Sequence, residues 1–216
     1  MPTLPPPCPL CGGNPQPYHR DARRDYLQCP DCDLVFVPPQ QQLEPAAAEA
    51  FYATHRNALD DAGYRRFLAR LCEPMIQRLP TGACGLDFGC GPAPALMAMF
   101  IAAGFAMRGY DPLFAPDAAA LAQQYDFIVS SEVFEHLAEP GAEISRLLVL
   151  LRPGGWLGVM TKRVRDREAF AQWHYIRDPT HVCFYSEATF RFIAARHGLL
   201  LEFAGADVAL LRRPAV

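Results

Sequence analysis

From residue 60 onward, short apolar runs alternate with longer runs of helical period. Leu86–Phe88, Met107–Tyr110, Tyr125–Val129 and Trp156–Met160 are bounded by Gly, Pro or Asp and read as strands. Between and before them lie the helices. Tyr64, Phe67, Leu68, Leu71, Met75, Ile76 and Leu79 recur at helical spacing behind Asp60 or Asp61 as a cap, with Pro74 as a kink. Ala95–Ala103 is amphipathic and stops at Gly104, Asp117 opens a single short helix, and Ala142–Leu151 forms another. Ser186 caps a helix through Arg196, with Glu187 in its first turn. Leu199–Phe203 and Val208–Leu211, split at Gly205 and Ala206, close the chain as an antiparallel hairpin. Alternation of this kind predicts an α/β fold with helices on both faces of one sheet.

The stretch Gly85–Pro94, GLDFGCGPAP, runs strand, tight glycine turn, helix start. Gly89 and Gly91 let backbone approach a ligand, and the helix amides attract an anion. Asp111 ends the next strand about 20 residues later, the place of a ribose-binding acid. A dinucleotide loop would carry a third Gly where Pro94 stands. Asp87, before the first Gly, is wasted beside a pyrophosphate and useful beside an ammonium group. A ligand with carboxylate, ammonium and ribose is an amino-acid nucleoside, and S-adenosylmethionine is the obvious one.

DFGCG, GYD, YDFIVSSEVFEHL and LRPGGWLGV, in that order, resemble the motifs of class I S-adenosylmethionine-dependent methyltransferases. The resemblance implies a Rossmann-like sheet with the cofactor at its carboxyl edge, held by Asp87, Gly89, Cys90, Gly91, Asp111, Pro112, Ser131 and Glu132. Cys90 supplies the small side chain the loop needs. Glu135 and His136 match the pair that often follows, where His136 either touches the acceptor or packs a helix start. In one place the chain departs from the family. Only thirteen residues, Pro112–Gln124, separate Asp111 from the next strand. The usual outer third strand is therefore expected to be missing, with Leu113 and Phe114 covering the adenine. The variable region Trp173–Ser186 is aromatic and polar at once. It supplies the expected acceptor pocket, Trp173, Tyr175 and Tyr185, with His181 as first choice of base beside Asp178 and His174 as second. Tyr52, His55 and Arg56 are candidate lid residues.

Ahead of this domain, Cys8-x-x-Cys11 and Cys29-x-x-Cys32 leave 17 residues between the pairs, a zinc-ribbon spacing. Tyr26–Gln28 enters the second knuckle as a strand and Leu34–Val37 leaves it. Pro38, Pro39, Gln40–Gln42 and Pro45 read as linker, so residues 1–45 form a zinc-ribbon-like segment and 46–216 the methyltransferase domain. So small a unit would depend on its metal for a core.

Charge narrows the function classes. The net charge is −3, and Arg20, Arg23 and Arg24 are opposed by Asp21, Asp25, Asp31, Asp33 and Glu44. That is a poor footprint for a phosphate backbone, so nucleic acid is an unlikely partner. The leading expectation is methyl transfer to a small-molecule acceptor. The alternatives are a zinc-ribbon RNA methyltransferase and a non-catalytic cofactor-binding module, the latter opposed by intact Asp87, Gly89, Gly91 and Asp111. The N-terminus MPTLPPPC lacks the charged-then-apolar order of a signal peptide, and no uninterrupted apolar stretch approaches bilayer length, which makes the expected compartment cytoplasmic.

Overall fold

A computed structural model describes residues 5–52 and 61–215. The N-terminal segment forms β1 (Gln16–Arg20), β2 (Asp25–Gln28) and β3 (Val35–Phe36), an antiparallel meander around the four cysteines. Pro39–Gln41 makes one 3-10 turn before α1 (Pro45–Tyr52). Asp61 caps α2 (Ala62–Ile76), its side chain accepting from the Tyr64 amide. Pro74 lies within α2, and Arg78 turns back to donate to its carbonyl at 2.7 Å.

The main sheet follows as β4 (Cys84–Phe88), α3 (Ala95–Ala102), β5 (Ala106–Tyr110), β6 (Tyr125–Ser131), α4 (Pro140–Leu150) and β7 (Leu151–Met160). Then come α5 (Arg167–Ala171), β8 (Cys183–Phe184), α6 (Glu187–His197), β9 (Leu200–Phe203) and β10 (Val208–Arg212). The sheet order is β5-β4-β6-β7-β10-β9, parallel through β7 and antiparallel at the closing hairpin. The expected fold class is what the chain adopts. Residues 112–124 form no sheet strand; they hold one bridge, Asp111 to Ala115, and a 3-10 turn, Ala118–Leu121, capped by Asp117. The α-helix expected from Asp117 is thus corrected to a single 3-10 turn.

Apolar residues cover both faces of the sheet. Leu68, Leu71 and Met75 of α2 and Phe100 of α3 pack with Phe127, Val129 and Met160 on one side. On the other, Leu147 and Phe190 join Ile128, Leu157 and Val159, and the same cluster continues into Tyr26, Leu34, Val35 and Phe36 of the cysteine segment. β8 completes the N-terminal sheet, in the order β1-β2-β3-β8, with Val35 paired to Phe184 and Phe36 to Cys183. Three elements escaped the sequence reading, and α5, five residues long, is too short to show a helical period. β1 carries Pro17 and a bulge, which blur its alternation. β8 is two residues long and buried on both faces, so it has no alternation to read.

Candidate functional site

The two cysteine pairs form matching knuckles. Gly12 N–H donates to Cys8 O and Asp33 N–H to Cys29 O, each at 2.8 Å. Gly12 (φ 80°) and Asp33 (φ 61°) each follow the second cysteine in a left-handed conformation, which Gly and Asp tolerate best. Cys8 Sγ lies 3.5 Å from Cys32 Sγ, and Cys11 Sγ 3.4 Å from Cys29 Sγ. All four sulfurs fall within 4.8 Å of one another. A tetrahedral zinc with Zn–S of about 2.3 Å would set its sulfurs about 3.8 Å apart, so the set fits such an ion.

β4 delivers Asp87 and the glycine loop to the carboxyl edge of the sheet. Gly89 (φ 78°) could not carry a side chain, because a Cβ would lie 2.4 Å from Val133 just past β6. Gly89 and Cys90 donate their amides to Tyr110 O at 2.7 and 3.2 Å, which ties the loop to the end of β5. Asp111 completes the tie. Its Oδ2 accepts from Gly91 N at 3.0 Å, and its Oδ1 from Leu113 N and Phe114 N at 2.9 and 3.1 Å. A carboxylate accepts about four hydrogen bonds, so roughly one position is left for a ligand hydroxyl. Burial pushes the Asp87 carboxyl up to about 7, helped by the Asp111 charge and opposed by the Met97 amide. Cys90 is likewise pushed up to about 12 by burial. Pro112 is exposed, and Leu113 and Phe114 beside it are 41% and 40% exposed.

Beside this loop stands a second cluster. Ser130 donates to Phe88 O at 3.0 Å, and Ser131 closes β6 opposite Met160. Glu132 turns out of the strand at φ 53°, unusual for a residue with a Cβ, with its amide on Met160 O at 2.8 Å. The 3-10 turn Phe134–His136 then buries Glu135 completely. Thr161 donates to Glu135 Oε2 at 2.8 Å, and the Tyr175 hydroxyl donates to Glu135 Oε1. The same hydroxyl lies 3.3 Å from Glu132 Oε2. Burial pushes Glu132 up to about 8, with the Glu135 charge adding to it and Lys162 opposing. Burial also raises the Tyr175 hydroxyl far above its ordinary range.

The predicted acceptor residues divide. Tyr175 and His181 are buried against each other, ring centroids 4.1 Å apart, and His136 meets His181 at 4.7 Å. Trp173 packs on Tyr175 at 4.9 Å. His181 Nδ1 bonds Tyr175 O at 2.8 Å, and burial pushes its ring down to about 4. His174 is exposed, with Nε2 2.8 Å from Lys162 Nζ. Tyr185 does not line the site. It is fully buried, donates to Phe134 O at 3.1 Å and stacks on Phe190, so its place is the core behind the cluster. The lid reading of His55 and Arg56, and of the Tyr52 side chain, falls outside the described residues.

Sequence reasoning missed Arg24, counted as one surface charge among several. It is only 7% exposed. Its guanidinium donates to Ile176 O and Asp178 O at 2.8 Å, to Pro179 O at 3.1 Å and to the Tyr26 hydroxyl at 3.1 Å. The cysteine segment thereby holds the loop that carries Tyr175 and His181. Nothing local distinguishes Arg24 from Arg23, since the carbonyls it holds lie some 150 residues away.

Among the described residues, no helix is long and apolar enough to cross a membrane. No curated protein matches the chain. The chain is similar to the solved 1,6-didemethyltoxoflavin-N1-methyltransferase of Burkholderia thailandensis, with TM-score 0.59, 16% identity, and coverage of 92% of this chain and 99% of that one. It is also similar to magnesium protoporphyrin IX methyltransferase of Synechocystis PCC 6803, with TM-score 0.52, 15% identity and coverage of 79% and 92%. A third likeness is an O-methyltransferase family protein of Burkholderia thailandensis, with TM-score 0.51, 16% identity and coverage of 77% and 62%. At these identities the likeness is one of fold. A family model described as "Methyltransferase domain" matches residues 60–202, about two thirds of the sequence, and with the motif order already read from it the chain belongs to the methyltransferase family.

Proposed function

We propose that this protein transfers a methyl group from S-adenosylmethionine to a small-molecule acceptor. The observation that carries the reading is a convergence at one sheet edge. A glycine loop locked to Asp111 touches the turn that presents Glu132, Glu135 and His136. The residues fit the cofactor. Asp87 is a buried carboxyl with no salt bridge among the described residues, Asp111 keeps an acceptor position for a ribose hydroxyl, and exposed Leu113 and Phe114 offer an apolar surface to adenine. Gly89, Cys90, Gly91, Pro112, Ser131 and Glu132 complete this set. The bound cofactor supplies an electrophilic methyl on a sulfonium. The chain's part is to hold acceptor and methyl in line and exclude water. The toxoflavin and porphyrin enzymes, solved with S-adenosylhomocysteine and S-adenosylmethionine bound, support the cofactor and a small acceptor alike.

Trp173, Tyr175 and His136 form the acceptor side. His181, pushed down to about 4, is a poor match for a base working near neutral pH and instead holds its loop. His174, exposed beside Lys162, is the histidine placed to take a proton where the acceptor must lose one. Cys8, Cys11, Cys29 and Cys32 bind a structural zinc. The test pairs calorimetry against S-adenosylhomocysteine with a labelled-methyl transfer screen over fractionated metabolites, RNA and protein. We expect micromolar-range binding and label in the metabolite fraction. Absence of binding removes the cofactor assignment, and label in RNA alone replaces the acceptor class.

A further inference from the structure

One residue type is nearly absent from this chain. Of its 20 lysine and arginine residues, Lys162 is the sole lysine. Positive charge is otherwise supplied by planar guanidinium groups, and one position keeps a compact ammonium on a flexible stem. That position lies two residues past the end of β7, at the carboxyl edge of the sheet. Glu132, just past β6, is its counterpart on the neighbouring strand, since Ser131 pairs with Met160 and the Glu132 amide donates to Met160 O. The residues on either side of Lys162 are committed elsewhere. Thr161 donates to Glu135, while Arg163 donates to Val208 O and Gly205 O and lies over the Phe203 ring at 4.4 Å. Lys162 is half-buried and makes no ion pair among the described residues. Its Nζ stands 5.2 Å from the centre of the Tyr175 ring and 2.8 Å from His174 Nε2. An ammonium has three N–H donors and no acceptor, so His174 takes one and two remain. Glu132 does not cancel the charge, because burial pushes its carboxyl up to about 8 and it keeps a proton near neutral pH. An ammonium ordered against a ring face, with donors unspent, is a site that offers charge to an anion.

We propose that Lys162 is the specificity-determining contact of the acceptor pocket, and that the acceptor is a small carboxylic acid whose carboxylate pairs with its ammonium. The inference rests on the methyl-transfer reading and narrows it to one class of acceptor. Three neighbouring strand ends then divide the work. β4 leads into the glycine loop, β6 into Glu132 and β7 into the anion contact. The charge count favours a carboxylate over a phosphate. One ammonium balances one negative charge, whereas a phosphate monoester brings about two, and the adjacent Arg163 is tied down elsewhere. Trp173 packs on the Tyr175 ring at 4.9 Å, so the apolar body of the acceptor lies along these rings while its charge meets Lys162. The carboxylate serves as a handle, and the methyl goes to another atom of the acceptor. A pocket built this way rejects the corresponding amide or ester, because the ammonium would be left without its partner.

The lysine count makes the test direct. Isotope-labelled formaldehyde with a mild hydride donor converts the Lys162 amine and the N-terminal amine, and no other side chain, to dimethyl forms that stay positively charged. Lys162→Arg lacks one of the two nuclear magnetic resonance signals and so assigns them. Benzoate, inorganic phosphate and uncharged benzamide are titrated into the tagged full-length wild type with S-adenosylhomocysteine present. We expect a saturable shift of the Lys162 signal with benzoate, weaker binding of phosphate and no saturable shift with benzamide. No saturable shift with benzoate, or equal binding of benzamide, overturns the site. Phosphate bound more tightly than benzoate overturns the carboxylate in favour of a phosphorylated acceptor. In the labelled-methyl screen, the product should be held by an anion exchanger near neutral pH and released at about pH 2, below the carboxylate range. A product uncharged near neutral pH overturns the acceptor class, and a base-labile methyl ester overturns the handle role. For the acceptor so found, Lys162→Met should raise KM about ten- to a hundredfold with kcat kept within a few-fold, and Lys162→Arg should recover part of the loss. An unchanged KM in folded Lys162→Met removes Lys162 from the pocket. Calorimetry against S-adenosylhomocysteine separates the two readings. Benzoate binding without it keeps the anion site and removes the methyl-transfer reading; the opposite pattern does the reverse.

Discussion

The proposed cofactor half and the proposed acceptor half of the site are built on different terms. Residues 84–111 supply the glycine loop and Asp111 from neighbouring parallel strands, and the ties between them stay within that stretch. The acceptor loop, residues 173–186, has almost no regular structure of its own. Its carbonyls are held by Arg24, its β8 by β3, and Ser186 donates to Asp33 of the second cysteine knuckle. Val182 bridges further, donating to Glu135 O and accepting from Val37 N. The contrast shows the cysteine segment used as a scaffold for a loop some 150 residues away, where its charge had argued only against nucleic acid.

Stripping zinc is the harshest test of that contrast. Structural zinc in small cysteine sites contributes apparent binding energies of about 10–16 kcal/mol, more than a typical domain's whole stability. Chelation or Cys29→Ser should therefore release the N-terminal sheet and β8 with it. Hydrogen exchange is expected to rise across residues 174–186 while residues 84–111 stay protected. Equal loss in both halves would mean that they are one cooperative unit.

Arg24→Ala asks the same question without touching the metal. It leaves three carbonyls, one buried and two partly buried, short of a charged donor, a loss of about 2–4 kcal/mol. Denaturant unfolding should show it, with S-adenosylhomocysteine affinity kept within a few-fold. Arg24→Lys should recover less than half, since an ammonium cannot fork across the three. A cofactor affinity that collapses along with stability would erase the distinction between the halves.

On the other side, Asp111→Ala removes the shared acceptor of the loop and the expected ribose contact. One charged hydrogen bond is worth about 1.5–3 kcal/mol, or roughly one to two orders of magnitude in affinity. Calorimetry showing unchanged affinity in a folded variant would take Asp111 out of the site.

The smallest effect concerns pH. The Asp87 carboxyl is pushed from 3.8 up to about 7 by burial. Between these values the folded chain keeps a proton that the unfolded chain has released. Ligand-free stability should thus fall as pH rises from about 4 to about 7. Thermal melts across that window should show a shallower slope for Asp87→Asn, and an identical slope would place the proton elsewhere.

What was legible in the sequence was local. The GxG loop, the paired CxxC knuckles, the capping Ser186 and the short Asp111–Tyr125 connection each carry their signal within a few residues, because turn geometry, ligand spacing and chain length act at that range. The acceptor side was read only in outline. Tyr185 and Tyr175 look alike in sequence, yet one packs into the core and donates to Phe134 O while the other meets Glu135, a difference made by partners distant in sequence. Glu135 shows itself as a hub only when Thr161 and Tyr175 are brought to it from other elements.

The Arg24 tether has a consequence for the order of events during synthesis. Arg24 and Ile176 are 152 residues apart, so the contact cannot form until most of the chain has left the ribosome. The thermodynamic toll of so long a closure is mild, since each doubling of loop length adds only about 0.6 kcal/mol. The kinetic toll is larger, because contacts distant in sequence slow the search. The cysteine segment emerges well before the acceptor loop, and its β3 edge stays unpaired until β8 follows. A nascent chain stalled before residue 183 therefore exposes that edge, and the acceptor loop is among the last parts of the molecule to become native.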